Sequence, residues 1–158
     1  MNIGYFYFIK PSYFADFANS NIMSNRDETD EHQHKRPCFY AFTSNNHIFW
    51  LIPISSKVDK FERIYDTKIK RYGKCDTIDF CSVLGRKKAV LIQNMFPVTA
   101  KYILNEYLDP HHKPVQVCSK VHKRIIHKAK KVLELQRKGI DLIFGNVLEI
   151  EKDLLSLE

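Results

Sequence analysis

Two apolar, β-rich runs, Cys38-Phe39-Tyr40-Ala41-Phe42 and Ile48-Phe49-Trp50-Leu51-Ile52, stand on either side of the short polar link Ser44-Asn45-Asn46. Such a pair commits the chain to an antiparallel hairpin, because the link leaves room only for a tight turn. Pro53 is expected to end the second strand, since proline cannot donate to a ladder. A hairpin also returns the chain to where it set out, so Arg36 and Ser55 are expected to be neighbours in space.

Around this hairpin the remaining elements can be placed by pattern. Tyr5-Phe6-Tyr7-Phe8-Ile9 reads as a buried strand closed by Lys10-Pro11, and Phe14 and Phe17 predict a short helix over 12–19. From 20 to 35 the residues turn polar and charged, a stretch that cannot bury enough apolar surface to offset its ordering entropy and is expected to be a mobile loop. After the hairpin, Ser55 or Ser56 can cap a helix with apolar positions Val58, Phe61, Ile64, Tyr65, Ile69 and Tyr72, stopped by Gly73. Residues 77–84 and 89–93 straddle Gly85-Arg86-Lys87 and predict a second hairpin. Thr99 is expected to cap a helix containing Tyr102, Ile103 and Tyr107. Ser119 opens the most strongly patterned helix, with Val121, Ile125, Ala129, Val132, Leu133 and Leu135 on one face and Gly139 at its end. A short Leu142-Ile143-Phe144 run and a final helix follow, the helix carrying Val147, Ile150, Leu154 and Leu155. Hairpins interspersed with helices favour an α+β fold over a parallel α/β sheet.

At 158 residues the chain is long enough for one core rather than two, so 1–158 is expected to form a single domain. The longest apolar stretches fall far short of the ~20 residues that span a bilayer. The amino terminus has neither the positive charge nor the small-residue cleavage site of a secretory signal. Cys38, Cys75, Cys81 and Cys118 show no CxxC spacing and read as reduced thiols of a cytoplasmic protein. A Walker loop, GxGxxG, HExxH and GxSxG are all lacking, which leaves a nucleotide-triphosphate enzyme, a metalloprotease and an α/β-hydrolase without support.

The formal charge of +7 is unevenly spread. On a helix, Lys120, Lys123, Arg124, Lys128 and Lys131 follow i, i+3/i+4 steps and form a cationic stripe opposite the apolar one, with Glu134 the only acid nearby in sequence. Such a stripe can neutralise nucleic-acid phosphates, or it can be a solvated helix face. A second constellation comprises Arg36 before the first hairpin and Ser55-Ser56-Lys57 after it. Its guanidinium, hydroxyls, ammonium and helix N–H groups together suit a phosphate.

RNA carries its own nucleophile, the 2′-hydroxyl beside each phosphate. A protein that cleaves it without a metal needs a base, stabilisation of the crowded phosphorane and an acid for the departing oxygen. Arg36 and a serine hydroxyl could hold the non-bridging oxygens, Lys57 could stabilise charge or transfer a proton, and His47 is an acid–base candidate. Asp27, Glu28, Asp30, Glu31, His32 and His34 are dense metal ligands with nothing to fix their geometry. Asp76 and Asp79, three apart in a strand-like stretch, are expected to face opposite sides. No metal and no cofactor is expected.

Four ordered segments, Gly4-Tyr5-Phe6-Tyr7-Phe8-Ile9-Lys10, Arg36-Pro37-Cys38-Phe39-Tyr40, Trp50-Leu51-Ile52-Pro53-Ile54-Ser55-Ser56 and Leu91-Ile92-Gln93-Asn94-Met95-Phe96-Pro97, give the chain a wider likeness. It resembles the CptN branch of the ToxN/AbiQ toxins of type III toxin–antitoxin systems. The resemblance implies a metal-independent endoribonuclease on a twisted antiparallel sheet or partial barrel, related to the Kid/MazF fold, with about four to five helices around it. It implies cleavage of cellular transcripts, with a preference for A-rich sites, to leave a 2′,3′-cyclic phosphate. The implied partner is a small repeat-derived pseudoknot RNA that the toxin processes and that inhibits it in a closed protein–RNA assembly, acting in bacterial phage defence or plasmid maintenance. By position, Ser55-Ser56 match the family's Thr/Ser-Ser active-site step and Arg36 its basic residue. Lys57 follows Ser56 without the intervening proline of the ToxN branch, so either Lys57 or Lys60 fills the lysine's place. The cationic helix over 119–138 fits the family's RNA-binding groove by charge.

Overall fold

The structure, a computed structural model, describes residues 1–25, 35–45 and 47–157. The loop expected over 20–35 therefore falls, for 26–34 with Asp27, Glu28, Asp30, Glu31, His32 and His34, outside the described residues, as does Asn46 of the hairpin link. Seven antiparallel strands are described: β1 (Phe6–Ile9), β2 (Cys38–Ser44), β3 (Ile48–Ser55), β4 (Asp79–Val83), β5 (Arg86–Val90), β6 (Phe96–Val98) and β7 (Ile103–Glu106). Their order is β4-β5-β3-β2-β1-β7, with β6 also on β3, and the sheet stays open between β4 and β7. The described helices are α1 (Pro11–Asp16), α2 (Val58–Tyr72), α3 (Ser119–Arg137) and α4 (Val147–Ser156). The α+β architecture read from the sequence is the one observed.

The first hairpin forms as its composition demands, with Phe39 opposite Ile52 and Tyr40 opposite Leu51. Pro53 does not end β3, contrary to expectation. It pairs with Cys38 at the last rung shared with β2, after which Ile54 and Ser55 pair with Val90 and Ala89 of β5. The missing N–H thus sits where the strand changes partners, and the Pro53 carbonyl still accepts from Leu91 N–H at 3.0 Å.

Two further expectations need correction. Residues 99–107 do not form a helix: a single 3-10 turn, Ala100–Tyr102, leads into β7, which pairs with β1 through Phe8–Asn105 and Ile9–Ile103. Pairing with an open strand edge overrides a spacing that fitted either state. In the second hairpin the turn is Leu84-Gly85, both at positive φ (51° and 77°), so Arg86 and Lys87 belong to β5 rather than to the link. The short strand β6, which carries Pro97 against Trp50, was not foreseen.

Phe6, Tyr13, Phe39, Trp50 and Phe96 are fully buried in one large cluster, covered by Ile125, Ala129 and Val132 of α3 and by Val147, Ile150 and Leu154 of α4. Each such side chain contributes ~1.5–3 kcal/mol by leaving water. A smaller cluster of Phe61, Cys75, Ile78, Ala89 and Leu91 lies under α2. Gly4, at φ +90°, packs against His122 so closely that a β-carbon there would fall 2.2 Å from the imidazole, which fixes α3 against the start of β1. The cysteines are free, with Cys118 exposed and Cys38, Cys75 and Cys81 buried. Burial pushes the Cys38 thiol up to about 12 despite the opposing charge of Arg36. Among the described residues no helix is long and apolar enough to cross a membrane.

Candidate active site

The root of the first hairpin is closed by a side chain. Extending the β2–β3 register by one residue sets Pro37 opposite Ile54, and proline has no N–H to give. Arg36 supplies the donor instead: its Nη1 donates to the Ile54 carbonyl at 2.6 Å, its Nε to the Ser24 carbonyl at 3.2 Å, and its main-chain N–H to Asn25 O at 2.6 Å. The guanidinium is thereby fixed and buried, 5% exposed, between two chain segments.

Arg36 and Ser55 line one pocket of about 200 Å3 with Lys57, Lys60 and Phe61 of the α2 end and Met23 and Ser24 of the opposite wall. Neither Ser55 nor Ser56 caps α2, whose N-cap position is Lys57, and Ser55 instead closes the turn before it. Its Oγ accepts the Lys57 N–H at 3.1 Å, one residue before the helix begins, which leaves the hydroxyl proton available to donate. The pocket therefore gathers one guanidinium, two serine hydroxyls and two ammonium groups, with no carboxylate among its described residues. Such a set can bind a phosphodiester and stabilise added negative charge on it.

Ser56, the next residue, engages a group that sequence reading missed: Lys88 Nζ, from β5, donates to Ser56 Oγ at 2.6 Å. The basic run Arg86-Lys87-Lys88 was visible, but its place beside Ser56 depends on β5 pairing with the far end of β3. His47 is not brought to this site. It sits at the other end of β3, about 25 Å away along an extended strand, and lines a separate pocket with Phe49, Lys101 and Leu154.

The cationic stripe of α3 is only partly open to a ligand. Arg124 clasps Asp79 through Nε and Nη2, both at 2.8 Å, and Lys128 Nζ lies 3.3 Å from the same carboxylate. Lys131 Nζ is 3.0 Å from Asp76, which also meets Lys74. Asp76 and Asp79 thus face the same helix rather than opposite sides, because Asp76 precedes β4 and escapes its alternation. Burial alone would raise the Asp79 carboxyl, but the Arg124 hydrogen bonds, the Phe80 N–H and the Lys128 charge together hold it below 3.8. Of the five stripe residues, Lys120 and Lys123 are exposed and have no acidic partner among the described residues. Among the described residues, no three His, Cys, Asp or Glu side chains cluster as metal ligands.

In sequence, no protein-family model and no curated protein matches the chain. In structure it is similar to AbiQ, a lactococcal anti-phage endoribonuclease belonging to the type-III toxin–antitoxin system, with a TM-score of 0.67 and 17% identity over 99% of this chain and 98% of that one. The likeness is one of fold, and it runs the length of both chains: the open antiparallel sheet and its flanking helices form an AbiQ-like fold.

Proposed function

We propose that residues 1–158 act as one domain, the metal-independent endoribonuclease toxin of a type III toxin–antitoxin system. The observation that carries the reading is the end-to-end fold likeness to an endoribonuclease of such a system. A pocket of phosphate-suited groups at the hairpin root supports it. Arg36, Ser55, Ser56 and Lys57 serve the reaction, with Lys60 as the other candidate for the lysine's role. The 2′-oxygen forms a bond to the neighbouring phosphorus while the bond to the 5′-oxygen breaks. The 2′-hydroxyl proton passes to a base and the 5′-oxygen takes one from an acid, leaving a 2′,3′-cyclic phosphate and a 5′-hydroxyl. Ser55 and the cations stabilise the extra charge on the non-bridging oxygens, where losing one well-placed donor costs ~10²–10³ in rate.

In this reading the toxin works in the bacterial cytoplasm and its inhibitor is a small repeat-derived pseudoknot RNA. The toxin cuts that RNA from a precursor and binds it in a closed protein–RNA assembly, and release serves phage defence by abortive infection. Incubating the protein with end-labelled RNA in EDTA tests the chemistry: fragments ending in cyclic phosphate are expected, and Ser55→Ala should slow their appearance at least tenfold. RNA that is bound but stays whole would mean a non-catalytic RNA-binding regulator instead. Co-expression with the transcript just upstream of the coding region should relieve growth arrest if the antitoxin is RNA.

A further inference from the structure

We infer that the exposed face of α2 that carries Lys60, Arg63, Thr67 and Arg71 and ends on Tyr72 is the track along which single-stranded RNA leaves the hairpin-root pocket. The inference rests on the nuclease reading for the nature of its ligand. Steps of three, four and four residues put these four side chains on one face of the helix. Lys60, at the near end, lines the hairpin-root pocket itself. Farther along, Arg63, Thr67, Lys68, Arg71 and Tyr72 line a groove of about 350 Å3 with no acid among its described residues. From Lys60 to Arg71 the helix rises about 16 Å, at 1.5 Å per residue, so the face extends the pocket by several nucleotides rather than duplicating it.

The acids of α2 centre on an adjoining face: Asp59 and Asp66 flank Arg63, four residues before it and three after, but neither forms an ion pair with it among the described residues. Asp59, Glu62 and Asp66 follow their own i, i+3, i+7 line, and Glu62 is engaged by Lys87 of β5. Lys60, Arg63 and Arg71 have no acidic partner among the described residues, unlike Arg124, Lys128 and Lys131 of α3. Lys68 is the exception within the groove, since its Nζ donates to Thr77 at 2.8 Å. At the far end Tyr72 is 64% exposed, with the Arg71 guanidinium 5.5 Å from its ring centroid. An exposed ring next to a cation offers a base a stacking platform beside a phosphate anchor, the pairing on which sequence-tolerant single-strand binding is built. Along the sequence the cations of α2 are interleaved with acids and do not stand out as a stripe. Only the fold shows that none of these acids pairs with Lys60, Arg63 or Arg71 among the described residues, and that the acids opposing α3, Asp76 and Asp79, lie just before and at the start of β4.

The test is the affinity of the full chain for a labelled single-stranded oligoribonucleotide carrying 2′-methoxy groups, which cannot be cleaved, measured across a salt series. Arg63→Gln/Arg71→Gln should weaken binding at least tenfold and flatten the log–log salt slope by about 1.4, at ~0.7 per lost phosphate contact. Tyr72→Ala should weaken binding while leaving the slope unchanged, because stacking releases no counterions. Wild-type affinity and slope in the double variant, with circular dichroism confirming its fold, would overturn the track. So would a loss that falls on Lys120→Gln/Lys123→Gln instead, or a wild type that binds no RNA. Cleavage of unmodified RNA by the wild type, run in parallel, reports separately on the nuclease reading: a chain that binds through α2 yet never cuts removes that reading and leaves the track standing.

Discussion

Asp79 holds Arg124 in a fork of two parallel bonds, each 2.8 Å long, so the most conspicuous cation of the basic helix is committed to β4. The carboxylate is nearly buried, 6% exposed, while the guanidinium is 46% exposed. Breaking a fully buried pair on one side costs ~3–5 kcal/mol, and solvent around Arg124 reduces this, so Asp79→Asn is expected to destabilise the protein by about 2 kcal/mol. Urea unfolding measures the loss as a lower midpoint at unchanged slope.

Acidification should weaken the fold in two separate windows. The His122 imidazole is held below its usual 6.5 by burial and then by the Lys123 charge. The fold therefore favours the neutral ring, and its contribution is full above pH 6.5 and declines as pH falls through the depressed value. Asp76 and Asp79 have carboxyls held below 3.8, their cationic partners outweighing burial. Their contribution is present above pH 3.8 and is lost only as pH falls below it. A pH series of urea midpoints should show the upper decline vanish in His122→Gln and the lower one shrink in Asp79→Asn.

Ser56, just past the end of β3, shares one hydrogen bond with Lys88 of β5, and their substitutions should not add. Ser56→Ala and Lys88→Ala should each reduce RNA cleavage, and the double variant should be little worse than the more damaged single one. A double-mutant cycle on cleavage rates gives the coupling directly. Simple additivity would show that the bond plays no part in the reaction.

Arg36 has a second duty besides any contact with substrate. Removing it leaves the Ile54 and Ser24 carbonyls without their charged donor, at ~1.5–3 kcal/mol for a hydrogen bond to a charged group. Arg36→Ala is therefore expected to lower the thermal midpoint by several degrees as well as to abolish activity. Arg36→Lys should recover more of the stability than of the activity, because an ammonium can reach one carbonyl but lacks the planar fork.

Much of this arrangement was legible before any coordinates. The Asn-rich link and its two apolar flanks dictated the β2–β3 hairpin, and that alone was enough to bring Arg36 to Ser55. The period of Val58, Phe61, Ile64 and Tyr65 and the Gly73 stop gave α2 its course and its end, though not its cap. What escaped was set by distant pairing. Pro53 looked like a terminator because nothing local announces that β5 takes over from β2, and Ile103 and Tyr107 looked helical until β1 offered them an edge. The α3 stripe looked unopposed because its counter-charges lie some fifty residues earlier, around the start of β4. Charge counted along a chain is not charge counted across a surface.

Phe61, the apolar wall of the hairpin-root pocket, belongs to the smaller of the two clusters, alongside Cys75, Ile78, Ala89 and Leu91. That cluster anchors α2 with few buried side chains, whereas the sheet beneath is secured by Trp50, Phe39 and their many neighbours. Openings of lowest free energy begin where such anchorage is thinnest. Warmed gently, the molecule should thus surrender the shape of its pocket while the sheet persists: inactivation precedes melting, and cooling restores a working site without refolding the whole.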